Sequence, residues 1–81
     1  MKIYIGNLNQ ETTEPQIRES FEKFGEITSL NLITDKQSGK SKGFAFVEMS
    51  SQEHGEKAIA ELNGVDLGGN LLKVNAAKEQ R

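Results

Sequence analysis

Hydrophobic and polar residues alternate along four short stretches of the chain, as they do in strands that bury one face of a sheet. These stretches are residues 2–6, 27–33 and 42–49, with a last one around Leu72 and Val74. Two segments between them instead repeat apolar residues at helical spacing. The first repeat consists of Ile17, Phe21 and Phe24, and the second of Gly55, Ala58, Ile59 and Leu62. The pattern predicts the order β-α-β-β-α-β.

The ends of both helices carry residues that favour helix boundaries. Thr13 is suited to cap the first helix, with Gln16 completing a capping box, and Gly25 is expected to end that helix in a left-handed conformation. Ser51 is suited to cap the second helix. Gly55 lies in the apolar stripe of that helix, and an alanine there is expected to raise stability.

This order of elements predicts an α+β, ferredoxin-like fold, with a four-stranded antiparallel sheet and two helices on one face. Right-handed β-α-β crossovers bring both helices to the same side of the sheet. Each helix has a single apolar stripe, so nothing in the sequence is left to cover the opposite side, which we call the open face. Alternation places four apolar residues there: Tyr4, Ile33, Phe44 and Phe46. Uncovered apolar patches of this kind usually serve binding.

Length and charge narrow the class of protein. The chain has 81 residues and no cysteine, which predicts one domain over residues 1–78 and excludes disulfides and thiolate metal sites. Residues 79–81 are expected to be frayed, and the protein to be monomeric, cytoplasmic and not membrane-bound. The net charge is −2, but the predicted helices hold six acidic and three basic residues, which leaves the remainder at +1. This distribution indicates an acidic back and a mildly basic front.

Two segments resemble the signature peptides of the RNA recognition motif family. Residues 42–49, KGFAFVEM, resemble its octapeptide, K/R-G-F/Y-G/A-F-V-x-F/Y, and residues 3–8, IYIGNL, resemble its companion hexapeptide. The resemblance covers nearly the whole chain, from Lys2 to about Ala77, and is similar in extent to small single-domain bacterial and cyanobacterial RNA-binding proteins. It implies a domain that binds single-stranded RNA and, more weakly, single-stranded DNA.

The resemblance also implies roles for individual residues. Tyr4 and Phe44 would each stack on a base, Phe46 would lie against a ribose or between nucleotides, and Lys42 would contact a phosphate. Further residues at the site would be cations that add to the positive field and amides that read base edges: Lys2, Lys40, Lys73, Asn31 and Asn75. No cofactor or metal is implied.

Two departures from the family pattern bear on the interpretation of the chain as an RNA-binding domain. Met49 replaces the last aromatic residue of the octapeptide but points into the predicted core, whereas Glu48 places a negative charge on the open face.

A protein-binding module of the same fold is the alternative function, and the salt dependence of binding would distinguish it from RNA binding. An enzyme is not expected, because His54 is the only histidine and has no partner suggested by spacing.

Overall fold

The computed structural model describes residues 1–77 and contains two helices and two antiparallel sheets. The elements are β1 (Lys2–Gly6), α1 (Glu14–Glu22), β2 (Ile27–Thr34), β3 (Ser41–Met49), α2 (Gln52–Leu62), β4 (Asp66–Leu67), β5 (Asn70–Leu71) and β6 (Lys73–Ala76). The larger sheet has the order β2-β3-β1-β6, which confirms the predicted ferredoxin-like α+β architecture. The segment predicted to fray, residues 79–81, lies outside the described residues. Within residues 1–77, neither helix is long and apolar enough to cross a bilayer.

A small hairpin between α2 and β6 was not predicted. Its strands, β4 and β5, pair with each other and are two residues long, too short to show alternation. They are joined by Gly68 and Gly69, with φ angles of 67° and 94°. Positive φ at both central residues is the requirement of a type I′ hairpin turn, and glycine meets it without steric cost.

The hydrophobic core lies between the helices and one face of the larger sheet. As the pattern predicted, the strands contribute every second residue to this core and the helices contribute the residues of their apolar stripes. Each of the following side chains is at most 2% exposed: Ile3, Ile5, Ile17, Phe21, Ala45, Val47, Met49, Ala58, Leu72 and Val74. Leu30, Leu32 and Ile59 are partly buried against this cluster. Met49 is therefore a core residue, which confirms the direction predicted for it.

Both helices begin where the capping residues predicted. The backbone N–H of Thr13 donates to the side-chain carbonyl of Gln16 at 3.0 Å, and the Ser51 hydroxyl accepts from the His54 N–H at 3.3 Å. The prediction for Gly25 was wrong, since its φ is not positive. A β-carbon at Gly25 would collide with the imidazole of His54. This glycine is thus explained by the close approach of α2 and not by a left-handed helix end.

Packing also explains why position 55 is occupied by a glycine. A β-carbon there would lie 2.5 Å from the Met1 sulfur and 3.3 Å from Met1 Cβ and Cγ. The Met1 backbone is held in place because its amino group donates to the Met49 carbonyl at 2.8 Å and its carbonyl accepts from the Met49 N–H at 2.9 Å. This close contact with Met1 opposes the stabilisation expected from an alanine at this position.

We predict that Gly55→Ala lowers the free energy of unfolding by about 0.5–2 kcal/mol. The gain of about 0.5–1 kcal/mol in helix propensity is outweighed by overpacking against Met1, which typically costs about 1–3 kcal/mol. Thermal or urea unfolding measures the change. Ala60→Gly, at an exposed position of the same helix, reports the propensity effect alone. A higher melting temperature for Gly55→Ala would mean that Met1 can move aside at no cost.

Candidate nucleic-acid interface

Strand register places four polar and aromatic residues in one row across the open face. Asn31 of β2 is opposite Phe46 of β3, Phe46 is opposite Tyr4 of β1, and Tyr4 is opposite Asn75 of β6. Directly opposed residues point to the same side of a sheet. Their neighbours along the strands, such as Ile3, are buried toward the helices. The row therefore lies on the side that neither helix of residues 1–77 covers.

Three aromatic rings form a triangle on the open face. The ring centroids of Tyr4 and Phe44 are 6.4 Å apart, those of Tyr4 and Phe46 are 5.8 Å apart, and those of Phe44 and Phe46 are 6.2 Å apart. These separations lie within the range that aromatic pairs favour, about 4.5–7 Å. All three side chains are partly exposed. We call this group the aromatic triangle; it is an ordered apolar surface outside the core.

Gly6 allows the Tyr4 ring to lie along the sheet, a role that sequence reasoning missed. A β-carbon at Gly6 would lie 2.6 Å from the Tyr4 hydroxyl oxygen and 2.9 Å from Cε2. The ring therefore extends over Gly6, whose partner across the sheet is Lys73 of β6. The available signal was a glycine two residues after the tyrosine on the same face of the strand.

Lys2 is brought directly to the aromatic triangle. Its ammonium lies 5.0 Å from the centroid of the Phe46 ring, a distance at which a cation is attracted to the ring face. The Lys2 backbone is opposite Glu48, yet the ammonium is positioned over the ring. Positive charge and apolar surface therefore adjoin at this end of the triangle.

Lys42 lies at an irregular start of β3, beside an acidic residue. Gly43 has a φ of 100°, and Lys42 is exposed. The pKa of the Asp35 carboxyl lies below its usual value, mainly because the backbone N–H groups of Gln37 and Ser38 donate to it, and also because of the Lys42 charge. Lys42 is thus available to solvent but lies in the field of a nearby carboxylate.

Two further predicted cations lie apart from each other, Lys73 on the edge strand β6 and Lys40 in the loop before β3. Lys73 is exposed on β6, opposite Gly6, and so shares the open face with Tyr4. Lys40 is not brought to the aromatic triangle: its ammonium lies 3.6 Å from the Glu11 carboxylate, beside the start of α1. Exposed ion pairs of this kind are weak, so the contact restrains Lys40 only slightly.

The asparagines divide into two groups. Four of the six use their side chains in hydrogen bonds within the protein: Asn7, Asn9, Asn63 and Asn70. The side chains of Asn31 and Asn75 make no hydrogen bond to any of residues 1–77, and both are exposed at the two ends of the row. Their amides can therefore donate to and accept from a ligand.

Comparisons with known proteins agree on one family. The family model for the RNA recognition motif matches residues 3–73. The chain is 42% identical over 78 residues to RbpD of Nostoc sp., covering 96% of this chain and 83% of that protein. It is 35% identical to the mitochondrial glycine-rich RNA-binding protein 4 of Arabidopsis thaliana, covering 98% of this chain and 58% of that protein. The solved structure of the Rna15 RRM with bound RNA (GU) superimposes with a TM-score of 0.89 and 33% identity, covering 96% of this chain and 83% of the other.

We predict that replacing Tyr4, Phe44 or Phe46 by alanine leaves the fold intact. These rings lie outside the core, so each change should alter the free energy of unfolding by only about 1 kcal/mol, through lost cross-strand contacts. Phe21→Ala is the matched control, because Phe21 is 1% exposed and its truncation should cost about 3–5 kcal/mol. Circular dichroism and thermal melting test the comparison. Unfolding of the three open-face variants would place these rings in the core.

Proposed function

Because the chain belongs to the RNA recognition motif family, we propose that its open face binds single-stranded RNA by stacking bases on the aromatic triangle and contacting phosphates with lysines. Family membership makes this an RNA-binding module and not an enzyme. The observation that carries the finer proposal is the aromatic triangle itself, with centroid separations of 5.8–6.4 Å on an uncovered sheet face. Unpaired bases present flat faces that stack on such rings.

The orientations of the rings support different roles for them. The Tyr4 and Phe44 planes are inclined by only 29°, so each can accept a base while the bases remain close to parallel. Phe46 is edge-on to Phe44, at 82°, and has the Lys2 ammonium over its ring. That arrangement suits a ribose between two nucleotides, with Lys2 directed at the adjoining phosphate. Phe46 is accordingly proposed as a sugar contact.

The remaining site residues are proposed to surround these stacked bases. Lys42 on β3 and Lys73 on β6 supply phosphate contacts, and Asn31 and Asn75 read base edges from the two ends of the row. Lys40 adds to the positive field and reaches RNA only when its contact with Glu11, at 3.6 Å, opens. The site therefore combines a few cations with two free amides.

Several further properties belong to the same proposal. Residues 1–78 act as one binding domain and as a monomer, in a cytoplasmic setting. Single-stranded DNA binds more weakly than RNA, because the ribose 2′-hydroxyl is a donor and an acceptor that DNA lacks. Affinity for RNA is modest, roughly micromolar, since the net charge is −2 and few lysines adjoin the aromatic triangle.

We predict that Tyr4→Ala and Phe44→Ala each weaken binding of a single-stranded oligoribonucleotide by about 1–3 kcal/mol, the usual contribution of one base stack, and that Phe46→Ala also weakens it, through loss of the ribose contact. The double variant of Tyr4 and Phe44 should reduce binding to background. The chain has one tyrosine and no tryptophan, so quenching of intrinsic fluorescence reports on Tyr4 alone in the unmodified protein. Titration of a labelled oligonucleotide by anisotropy measures every variant.

Val65→Ala is the matched control for these variants, because Val65 is an exposed apolar residue, at 40%, outside the larger sheet. It should bind RNA as the unmodified protein does. Variants of the triangle that fold normally and retain full RNA affinity would contradict the stacking proposal. Such a result would assign the open face to a protein partner instead.

We predict that Lys42→Ala flattens the dependence of log affinity on log salt by about 0.7, the value of one phosphate contact on a single strand. For two to four phosphate contacts the unmodified protein should have a slope of about −1.5 to −3. Lys57→Ala, on the exposed side of α2, removes the same charge away from the open face and should leave the slope unchanged. Equal slopes for Lys42→Ala and the unmodified protein would remove Lys42 from the site.

A further inference from the structure

A carboxylate lies on the open face, where a polyanion is proposed to bind. Glu48 of β3 is partly buried, and its backbone is opposite Lys2 of β1 on one side and Ser29 of β2 on the other. It is two residues from Phe46 along the same strand, so both side chains point to the open face. A negative charge here opposes phosphate binding, and nothing in the stacking proposal uses it.

The Glu48 carboxylate has no partner among residues 1–77. Lys2, the cation directly opposite, has its ammonium over the Phe46 ring, and the ion pair found in this part of the chain joins Lys40 to Glu11. Thr28 donates to Glu48, but to the backbone carbonyl, at 3.1 Å. Both carboxylate oxygens are therefore available to a ligand.

The chemistry of a carboxylate restricts what that ligand can be. An ionised carboxylate only accepts hydrogen bonds, so phosphate oxygens are excluded. Among the bases, guanine alone presents a ring N–H beside an exocyclic amino group, two adjacent donors that match the two oxygens. The amino groups of adenine and cytosine adjoin an unprotonated ring nitrogen on that edge, and the uracil N–H lies between two carbonyls. A carboxylate therefore favours guanine.

We propose that Glu48 selects guanine at one nucleotide of the bound RNA, the one that lies against Phe46. The row formed by Asn31, Phe46 and Tyr4 adjoins the row formed by Ser29, Glu48 and Lys2. A nucleotide over Phe46 can thus direct its base edge to Glu48 while Lys2 contacts its phosphate. This inference rests on the proposed function, and it adds a base preference to a face that stacking alone would leave unselective.

The experiment compares oligoribonucleotides that differ in one base. Hexauridylate is the parent ligand, and guanosine, inosine, adenosine or cytidine replaces uridine at each position in turn. Inosine lacks only the exocyclic amino group of guanine. At one position we expect the unmodified protein to bind the guanosine oligonucleotide at least about fivefold more tightly than the inosine and adenosine oligonucleotides. A difference of about fivefold is the lower end of the discrimination that one bidentate contact gives.

Glu48→Gln should reduce this preference for guanosine to less than about twofold, while hexauridylate binds as well as before or more tightly because a negative charge is lost. Glu61→Gln, on the exposed side of α2, makes the same change in net charge on the helical side and should keep the guanosine preference. Thermal melting of both variants checks that the fold is retained.

Two results would overturn the proposal. One is an unmodified protein that binds guanosine and inosine oligonucleotides equally at every position. The other is a Glu48→Gln variant that binds every oligonucleotide more tightly by the same factor and so keeps their order of affinity. In that case Glu48 would act only as a negative charge. Failure of the stacking proposal is separate from both, because it is measured as unchanged hexauridylate affinity in Tyr4→Ala and Phe44→Ala.

Discussion

The structure depends on one constraint: two helices with a single apolar stripe each can bury only one face of a four-stranded sheet. α1 buries Ile17 and Phe21, and α2 buries Ala58 and Leu62, all against the same side of the larger sheet. Right-handed crossovers leave no freedom to place one helix on each side. Among residues 1–77, neither helix covers the other side of this sheet. Its aromatic rings are therefore available for binding as a consequence of how the chain folds.

Because of this arrangement, the core and the candidate site use different residues of the same strands. In β3, Ala45 and Val47 are fully buried, while Phe44 and Phe46 are partly exposed beside them. Burial on one face stabilises the strand and fixes the positions of the rings on the other. The rings then contact one another at centroid distances of 5.8–6.4 Å. A site supported in this way is ordered before any ligand binds, which reduces the entropy lost on binding.

Charge is distributed in keeping with this division. The acidic residues of α1 and α2 lie away from the open face, whereas Lys2 and Lys73 lie on it and Lys42 is exposed near the start of β3. Lysines therefore exceed acidic residues on this side of the sheet by only a small number, and the carboxylates of Glu48 and Asp35 reduce the local positive charge further. In the proposed binding mode, electrostatic attraction therefore supplies only modest affinity, and contacts with bases supply a large share of both affinity and selectivity.

Local pattern alone determined the order of the two helices and the four strands of the larger sheet, the faces of the aromatic residues on β1 and β3, and the starts of both helices. Alternation has a period of two and capping acts over three residues, so Tyr4, Phe44, Phe46, Thr13 and Ser51 could all be assigned without any long-range contact. Only the tertiary structure decided why three glycines stand where they do. Gly25 lies against His54 and Gly55 against Met1, while Gly6 leaves room for the Tyr4 ring that extends over it. Packing likewise decided that Lys2 lies over Phe46 and that Lys40 pairs with Glu11. These contacts join residues far apart in sequence or depend on a side-chain rotamer, and neither property is encoded in the periodicity of a single segment.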